Sequence, residues 1–411
     1  MEALDHQEVI NLLLQLAAIL IMSRVFAEIA RKFKQPAVIG EIFAGIILGP
    51  TILGILMPDA HQYLFGAHEM TNIALDGFVQ ISVVLLLFIA GLEVELRIVW
   101  SQGKKALYIA IFSMILPIVA GFAVAYQFPE YLGININDKI VSATFFGLAI
   151  SITGLAIVAR ILMDLDLFKT SSGLLIIASA MIVDVLGWLI FSVILSLSAA
   201  GSDGLGVWST IGLTLLFTLG VLTIGKAMIN SVLPWINKKL AWPGGLLSLS
   251  LALCFLAASF TEFIGIHAIF GAFIIGVALG DSEFLTEKAK EILHQFINNI
   301  FAPIFFVSIG LKINFITGFD PGIVGIVLVV GLLTKFGGAY LGGRLGGVSK
   351  KESIVAGIGM NTRGSMDVVL GLIALETGLI TEPLFIGLVI LAIVASMSAG
   401  PLLGWARNLK F

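Results

Sequence analysis

Asp184 is the residue whose chemistry stands out first. It lies in Ala178-Ser-Ala-Met-Ile-Val-Asp-Val-Leu-Gly-Trp188, inside an apolar run from about Gly173 to Leu197. That run is long enough to span a bilayer. A carboxylate at the centre of a spanning helix costs about 2.5–3.5 kcal/mol on insertion scales. Such a group faces the protein interior and serves as an ion or proton site, unless it only neutralises a buried cation or bonds to backbone. Asp184 is charged while it holds a cation and neutral while it holds a proton. One carboxylate therefore serves both ligands in turn and never both at once. That competition is sufficient for exchange, because each half-cycle carries either a cation or a proton.

Three more charged residues lie at membrane depth: Lys335, Arg363 and Asp367. Arg363 and Asp367 are spaced i, i+4 and can pair along one face where the segment is helical, either as a self-neutralising structural pair or as support for the site. Lys335 sits between Leu332-Leu-Thr and Phe336-Gly-Gly-Ala, with no acid nearby in sequence. It must find a partner or shed its proton. The hydroxyls of Ser151 and Thr153, with carbonyls freed near Gly154, are the candidate hard-oxygen ligands that an alkali cation needs. Val183, Asn361 and Thr362 lie beside these groups.

The elements that position them follow from composition. The chain has 411 residues, of which 59% are hydrophobic and 12% charged, and its mean hydropathy is +1.08. A soluble domain of this length does not look like that; the composition predicts an all-α polytopic membrane protein. The net charge of −3 decides little. Thirteen apolar runs fall at about 8–31, 37–56, 73–96, 106–126, 139–163, 172–198, 207–230, 244–263, 265–280, 293–313, 321–345, 352–375 and 383–405. Most suit a helix crossing about 30 Å of hydrocarbon. With the N-terminus outside, the inside loops hold 18 of the 23 Lys and Arg residues, from Arg31, Lys32 and Lys34 through Lys169 to Arg407 and Lys410. The outside loops hold Lys139 and Lys312 and are otherwise acidic, as at Asp59, Glu130 and Asp203. This bias places the N-terminus outside and the C-terminus in the cytoplasm. The acidic start, Met1-Glu-Ala-Leu-Asp, lacks a signal peptide's basic region, so the first run is expected to stay as a helix. The single Cys254 excludes an intramolecular disulfide and a cysteine metal cluster.

Two motifs echo across the chain. Ile39-Gly-Glu-Ile-Phe-Ala-Gly-Ile-Ile-Leu-Gly49 resembles Ile266-His-Ala-Ile-Phe-Gly-Ala-Phe-Ile-Ile-Gly276, and Leu87-Phe-Ile-Ala-Gly-Leu-Glu93 resembles Phe306-Val-Ser-Ile-Gly-Leu-Lys312. Each pair is seven runs apart. An odd offset places the copies in opposite orientations, which predicts an inverted-topology repeat of helices 2–6 and 9–13 and alternating access. Helices 5 and 12 are then equivalent, and both are expected to break: at Ser151-Ile-Thr-Gly154, and at Gly359-Met-Asn-Thr-Arg-Gly-Ser-Met-Asp367. Glu41 and His267 fall within the echoing motifs and read as structural hydrogen-bonders or as a regulatory proton site. Arg24 and Glu28 read as an interfacial i, i+4 pair.

Through nearly its whole length the chain resembles the monovalent cation/proton antiporter superfamily, the sodium/hydrogen exchanger fold, most closely the branch of bacterial Kef-type and Nap-type and plant CHX exchangers. The resemblance is carried by Gln35-Pro-Ala-Val-Ile-Gly-Glu-Ile-Phe-Ala-Gly-Ile-Ile-Leu-Gly-Pro50, Leu87–Glu93, Ala302-Pro-Ile-Phe-Phe-Val-Ser-Ile-Gly310 and Gly359-Met-Asn-Thr-Arg-Gly364. It implies that Asp184 is the ion and proton carboxylate, that Lys335 is the supporting basic residue, and that Ser151–Gly154 is the family's unwound segment. It also implies a homodimer with a mobile core bundle (about 104–200 and 321–406) and a dimerising scaffold (about 7–96 and 205–313). Two departures matter. Val183 stands where the family places Asn or Asp, which leaves Lys335 without its usual counter-ion and favours electroneutral exchange. Ser365 stands where many relatives place Glu, and Asp367 is the candidate replacement.

The expected ligands are K+ or Na+ and H+, with membrane lipid around the chain and no nucleic acid. Asn361-Thr-Arg-Gly364, by its CHX likeness, leans towards potassium. No cofactor, catalytic residue or further metal site is expected, and nothing suggests an enzyme: there is no phosphate loop and no catalytic triad. A bacterial inner membrane is the expected location, and no C-terminal cytoplasmic regulatory domain is expected. The rival reading is a sensor or gated ion pathway that kept the fold and lost coupled exchange, with Val183 as its mark.

Overall fold

In hydrocarbon every backbone N–H and C=O must be satisfied within the protein, so long apolar runs fold as helices. The computed structural model describes all residues except 1–3, 34, 67–68, 136, 166, 169, 200–206, 240–241 and 408–411. Lys34, Lys169, Asp203 and Lys410, used above for orientation, lie outside the described residues. The helices in chain order are α1 His6–Lys32, α2 Ala37–Leu48, the one-turn α3 Leu53–Leu56 and α4 Pro58–His61, α5 Glu69–Leu92, α6 Leu96–Gln127, α7 Lys139–Ala149, α8 Leu155–Asp164 and α9 Ser171–Ala199. They continue with α10 Val207–Gly220, α11 Lys226–Lys239, α12 Gly244–Phe263, α13 Ala268–Gly280, α14 Glu287–Phe296, α15 Ala302–Lys312, α16 Pro321–Leu345, α17 Lys350–Met360, α18 Ser365–Glu376 and α19 Glu382–Arg407. Single π turns carry α10 into α11 and α14 into α15. Among the described residues the one departure from an all-helical chain is an antiparallel bridge, Ile134 to Ile380.

Among the described residues, ten helical stretches are long and apolar enough to cross a membrane. The run at 265–280 gives the shorter α13. The runs at 139–163 and 352–375 each divide into two helices, α7 with α8 and α17 with α18.

The chain forms two compact units. The first contains Met1–Glu93, Leu219–Phe263 and Ala268–Gly318. In it α2 packs on α1 and α15, and α5 packs on α13. The echoing motifs make these seams. A Cβ on Gly45 would lie 3.0 Å from Gly310 N, and one on Gly276 would lie 3.1 Å from Gly91 Cα. Their glycines bring helix backbones together as small residues do at membrane interfaces.

The second unit contains Val94–Thr218, Ile264–His267 and Phe319–Phe411. Its centre is α9, which packs on α6, α7, α8 and α17. The most apolar window of the span Ser171–Ser198 is 67% buried, against 11% for Ile211–Ile236. A helix apolar on all sides belongs in a core, and α9 is that helix. Trp188 and Phe191 of α9 meet edge to face with ring centroids 5.7 Å apart, and Phe145 of α7 meets Phe191 at 5.9 Å. The connection before α7 is tied to the one before α19, where Thr381 N donates to Gly133 O at 3.2 Å and Asn135 Nδ2 to Gly378 O at 3.1 Å.

Candidate functional site

The predicted site residues all belong to the second unit. Ser151, Thr153, Lys335 and Thr362 are fully buried, as is Val183, and Asp184, Arg363 and Asp367 are 5%, 1% and 6% exposed. Two non-helical stretches bring most of them together: residues 150–154 between α7 and α8, and 361–364 between α17 and α18.

The stretches are bonded to each other. Gly154 N donates to Thr362 O at 2.8 Å, and Thr153 Oγ1 donates to Met360 O at 2.8 Å. Glycine at 154 follows from that approach: an added Cβ would lie 2.6 Å from both Arg363 C and Gly364 N. The last carbonyls of an α-helix are unsatisfied within the helix and form its negative end. At α7 that end is covered by basic side chains. Arg363 Nη1 donates to Ala149 O at 3.1 Å, Arg363 Nη2 to Ile150 O, and Lys335 Nζ to Ser151 O.

Arg363 also bonds Asp367, Nη1 to Oδ1, at 3.1 Å. The i, i+4 pair thus forms, but Arg363 lies outside the helix, two residues before its first turn. Asp367 sits in that first turn and its Oδ2 accepts from Gly364 N at 2.7 Å, which places a carboxylate at the positive end of α18. At α8 the equivalent first turn, Leu155-Ala-Ile-Val158, carries no acid, and its N-cap residue is Gly154. Asp184 lies on α9, which packs against α8, α7 and α17.

Lys335 bonds a carbonyl rather than a carboxylate, and the side-chain charges acting on it are those of Arg363, Asp367 and Asp184. The hydroxyl protons of Ser151 and Thr153 go to carbonyls, Ser151 Oγ to Leu148 O at 2.7 Å and Thr153 Oγ1 to Met360 O at 2.8 Å. Their oxygens keep lone pairs for a ligand. Thr362 Oγ1 and Asn361 Oδ1 are buried oxygens without a hydrogen-bond partner among the described residues. Asn361 Nδ2 donates to Leu332 O of α16 at 2.9 Å. Buried hydroxyl, amide and carbonyl oxygens of the kind that hold a small cation or a proton are gathered here, with the basic side chains of Arg363 and Lys335 held on carbonyls at the end of α7.

One contributor was missed from sequence. Ser396 of α19 donates from Oγ to Arg363 O at 2.6 Å and is 7% exposed. A lone serine in a membrane helix is ordinary packing, so nothing in Ala395-Ser-Met-Ser398 marked it.

Residues 17–406 match the family model described as sodium/hydrogen exchanger, transmembrane. The chain is 30% identical to the Na+/H+ antiporter NhaS4 of Synechocystis, with 97% of this chain and 98% of that protein aligned. It is 28% identical to the Na+/H+-K+ antiporter GerN of Bacillus cereus, over 96% of each. It is 31% identical to the cation/H+ antiporter 17 of Arabidopsis thaliana, where 95% of this chain covers 48% of that longer protein. The structure is similar to that of the sodium proton antiporter MjNhaP1 from Methanocaldococcus jannaschii at pH 8, with a TM-score of 0.66, 18% identity, and 98% and 99% of the two chains covered. That likeness speaks to the fold. The matching family and the named relatives are antiporters, and with its long apolar helices the chain is a multi-pass membrane transporter rather than an enzyme. The chain belongs to the sodium/hydrogen exchanger family of cation/proton antiporters.

Proposed function

We propose that the chain exchanges one monovalent cation, K+ or Na+, for one proton by alternating access, with Asp184 as the shared carboxylate. The observation that carries this reading is the placement of Asp184. It is a nearly buried acid in the middle of the most buried span, on the helix that packs against both α7 and α8. The positive end of α18 already has its acid in Asp367, while that of α8 has none in its first turn. Asp184 is the remaining buried carboxylate of the cluster and complements that end. Ser151, Thr153 and Thr362 supply oxygens to the cation, and Gly154 permits the crossing. Lys335 and Arg363 hold the α7 carbonyls, and Asp367 fixes Arg363.

Electroneutrality follows from having one carboxylate. Loaded with either a cation or a proton, the site carries the same charge. Val183 is fully buried and apolar, so the position beside Asp184 adds no titrating group. The second to sixth and ninth to thirteenth apolar runs form the inverted repeat, in which α7–α8 and α17–α18 are the two interrupted spans. Residues of about 104–200 and 321–406 form the moving core bundle, and those of about 7–96 and 205–313 the scaffold of a homodimer. The N-terminus is outside, the C-terminus is in the cytoplasm, and the membrane is a bacterial inner membrane. Relatives named for Na+ and for both Na+ and K+ support either ion.

The test is exchange by purified protein in liposomes holding a pH dye, under an inward proton gradient. Dye recovery on adding K+ or Na+, abolished in Asp184→Asn and unchanged by an imposed membrane potential, is the expected result. Recovery that survives Asp184→Asn would move the site to Asp367. Recovery driven by the potential would end the one-for-one reading.

A further inference from the structure

The first unit carries a buried carboxylate for which exchange at Asp184 has no use. Glu41 stands on α2 within the span Ala37–Leu56 and is 7% exposed. Its Oε2 is shut off from solvent and has no hydrogen-bond partner among the described residues. An ionisable side chain at membrane depth is expensive unless it is paired or neutral.

The elements packed on α2 are α1, α15 and the one-turn α3. The charges of α1 at this level are Arg24, Glu28, Arg31 and Lys32. Both arginines are engaged by Glu28, Arg24 Nη2 at 3.0 Å and Arg31 Nη1 at 2.6 Å from the same Oε1, and their side chains are 61% and 38% exposed. His6 and Glu8 lie at the far end of α1. The charge on α15 is Lys312, bonded to Asp76 at 2.9 Å at the other end of the span. Leu53–Leu56 of α3 carry none. Glu41 therefore has electrostatic neighbours in Arg31 and Arg24 but no ion pair with either. The packing also limits relaxation, because α2 presses its backbone on α1 beside this residue. A Cβ on Gly40 would lie 2.7 Å from Ala27 N.

A metal cation in such a place needs several oxygen ligands, and among the described residues no hydroxyl or amide bonds Glu41. A proton neutralises a carboxylate alone. We propose that Glu41 is a second proton-binding site, carried by the first unit and independent of Asp184. When it ionises, the nearest cations it can draw on are the two that Glu28 holds, so its titration couples to the cytoplasmic end of α1.

The proposal stands or falls without the exchange reading, and its test uses the full chain in lipid. Infrared difference spectra of wild type against Glu41→Gln read the C=O stretch of a protonated acid. At mildly acidic pH the variant is expected to lose one such band. Added Na+ or K+ is expected to leave that band in place while removing the band that Asp184→Asn removes. A carbodiimide probe, dicyclohexylcarbodiimide, gives a second reading on unmutated protein. A protonated carboxyl adds across its C=N bond to an O-acylisourea, which rearranges to an N-acylurea with no group lost. One whole reagent on the Glu41 peptide is expected, decreasing as pH rises and unaffected by Na+ or K+. A Glu41 already fully ionised at mildly acidic pH would overturn the proposal. Loss of its adduct or acid band on adding Na+ or K+ at fixed pH would overturn the proton assignment and make the site a cation site.

Discussion

The two non-helical stretches of the second unit solve one problem in opposite ways. Each leaves a negative helix end and a positive helix end inside a membrane protein. The stretch 361–364 brings its own charges: Arg363 lies within it, and Asp367 follows on α18 and accepts from Gly364 N at 2.7 Å. The stretch 150–154 has none. The carbonyls that lead into it are covered by Arg363 and by Lys335 of α16, and the helix that leaves it begins without an acid. One crossing segment is self-satisfied and the other is borrowed from its neighbours. A site that must change its bound charge is best built at the borrowed one, where the fixed charges do not already cancel.

The largest effect should come from the residue that serves both stretches. Arg363→Met removes the cover from Ala149 and Ile150 and leaves Asp367 buried and unpaired. Breaking one half of a buried pair costs about 3–5 kcal/mol, so little folded protein should survive detergent extraction and size-exclusion chromatography. Adding Asp367→Asn should recover part of the loss, because no buried charge is then left alone. If the double variant is no better than the single one, Arg363 acts through the carbonyls rather than the pair.

The glycines should rank the stretches in the same order. Gly154→Ala places a Cβ 2.6 Å from Arg363 C, whereas the nearest contact of a Cβ on Gly364 is 3.0 Å, to Gly154 Cα. Overpacking costs about 1–3 kcal/mol, and Gly154→Ala should lower the thermal midpoint further than Gly364→Ala does. Equal effects would mean that the approach relaxes evenly.

Competition at one carboxylate fixes a pH dependence. Below the pKa of Asp184, each unit of rising pH removes the competing proton tenfold, about 1.4 kcal/mol. The cation concentration for half-maximal exchange should fall by up to tenfold per unit and level off above that pKa. A steeper dependence in transport assays would require a second titrating group at the site.

The smallest effects belong to the hydroxyls. Ser396→Ala frees Arg363 O, and Thr153→Val frees Met360 O. Each removes one hydrogen bond, about 1 kcal/mol. Ser396→Ala should change stability alone, while Thr153→Val should also weaken cation dependence in exchange assays. Equal transport loss in both would place Thr153 outside the ligand set.

What could be read from the sequence follows the same division. Apolar runs were legible because bilayer thickness sets their length, and Asp184, Lys335, Arg363 and Asp367 were legible because charge at that depth is costly. The interruption near Asn361-Thr-Arg-Gly364 was visible in its own polar residues. The partners of the other stretch were not. Lys335 meets Ser151 O across 184 residues and Arg363 meets Ile150 O across 213, and a carbonyl leaves no trace in residue type. The family-bearing glycines of α2, α5 and α15 lie in packing seams of the first unit, so of the four motifs that carry the resemblance only Gly359–Gly364 reaches the site.

The most direct test of a single shared carboxylate is proton release. Na+ or K+ is added to purified, weakly buffered protein across a range of pH, and the protons released per chain are counted. The account predicts release that peaks near one proton per bound cation and vanishes in Asp184→Asn. Release that persists in Asp184→Asn, or that approaches two protons per cation in wild type, would contradict it.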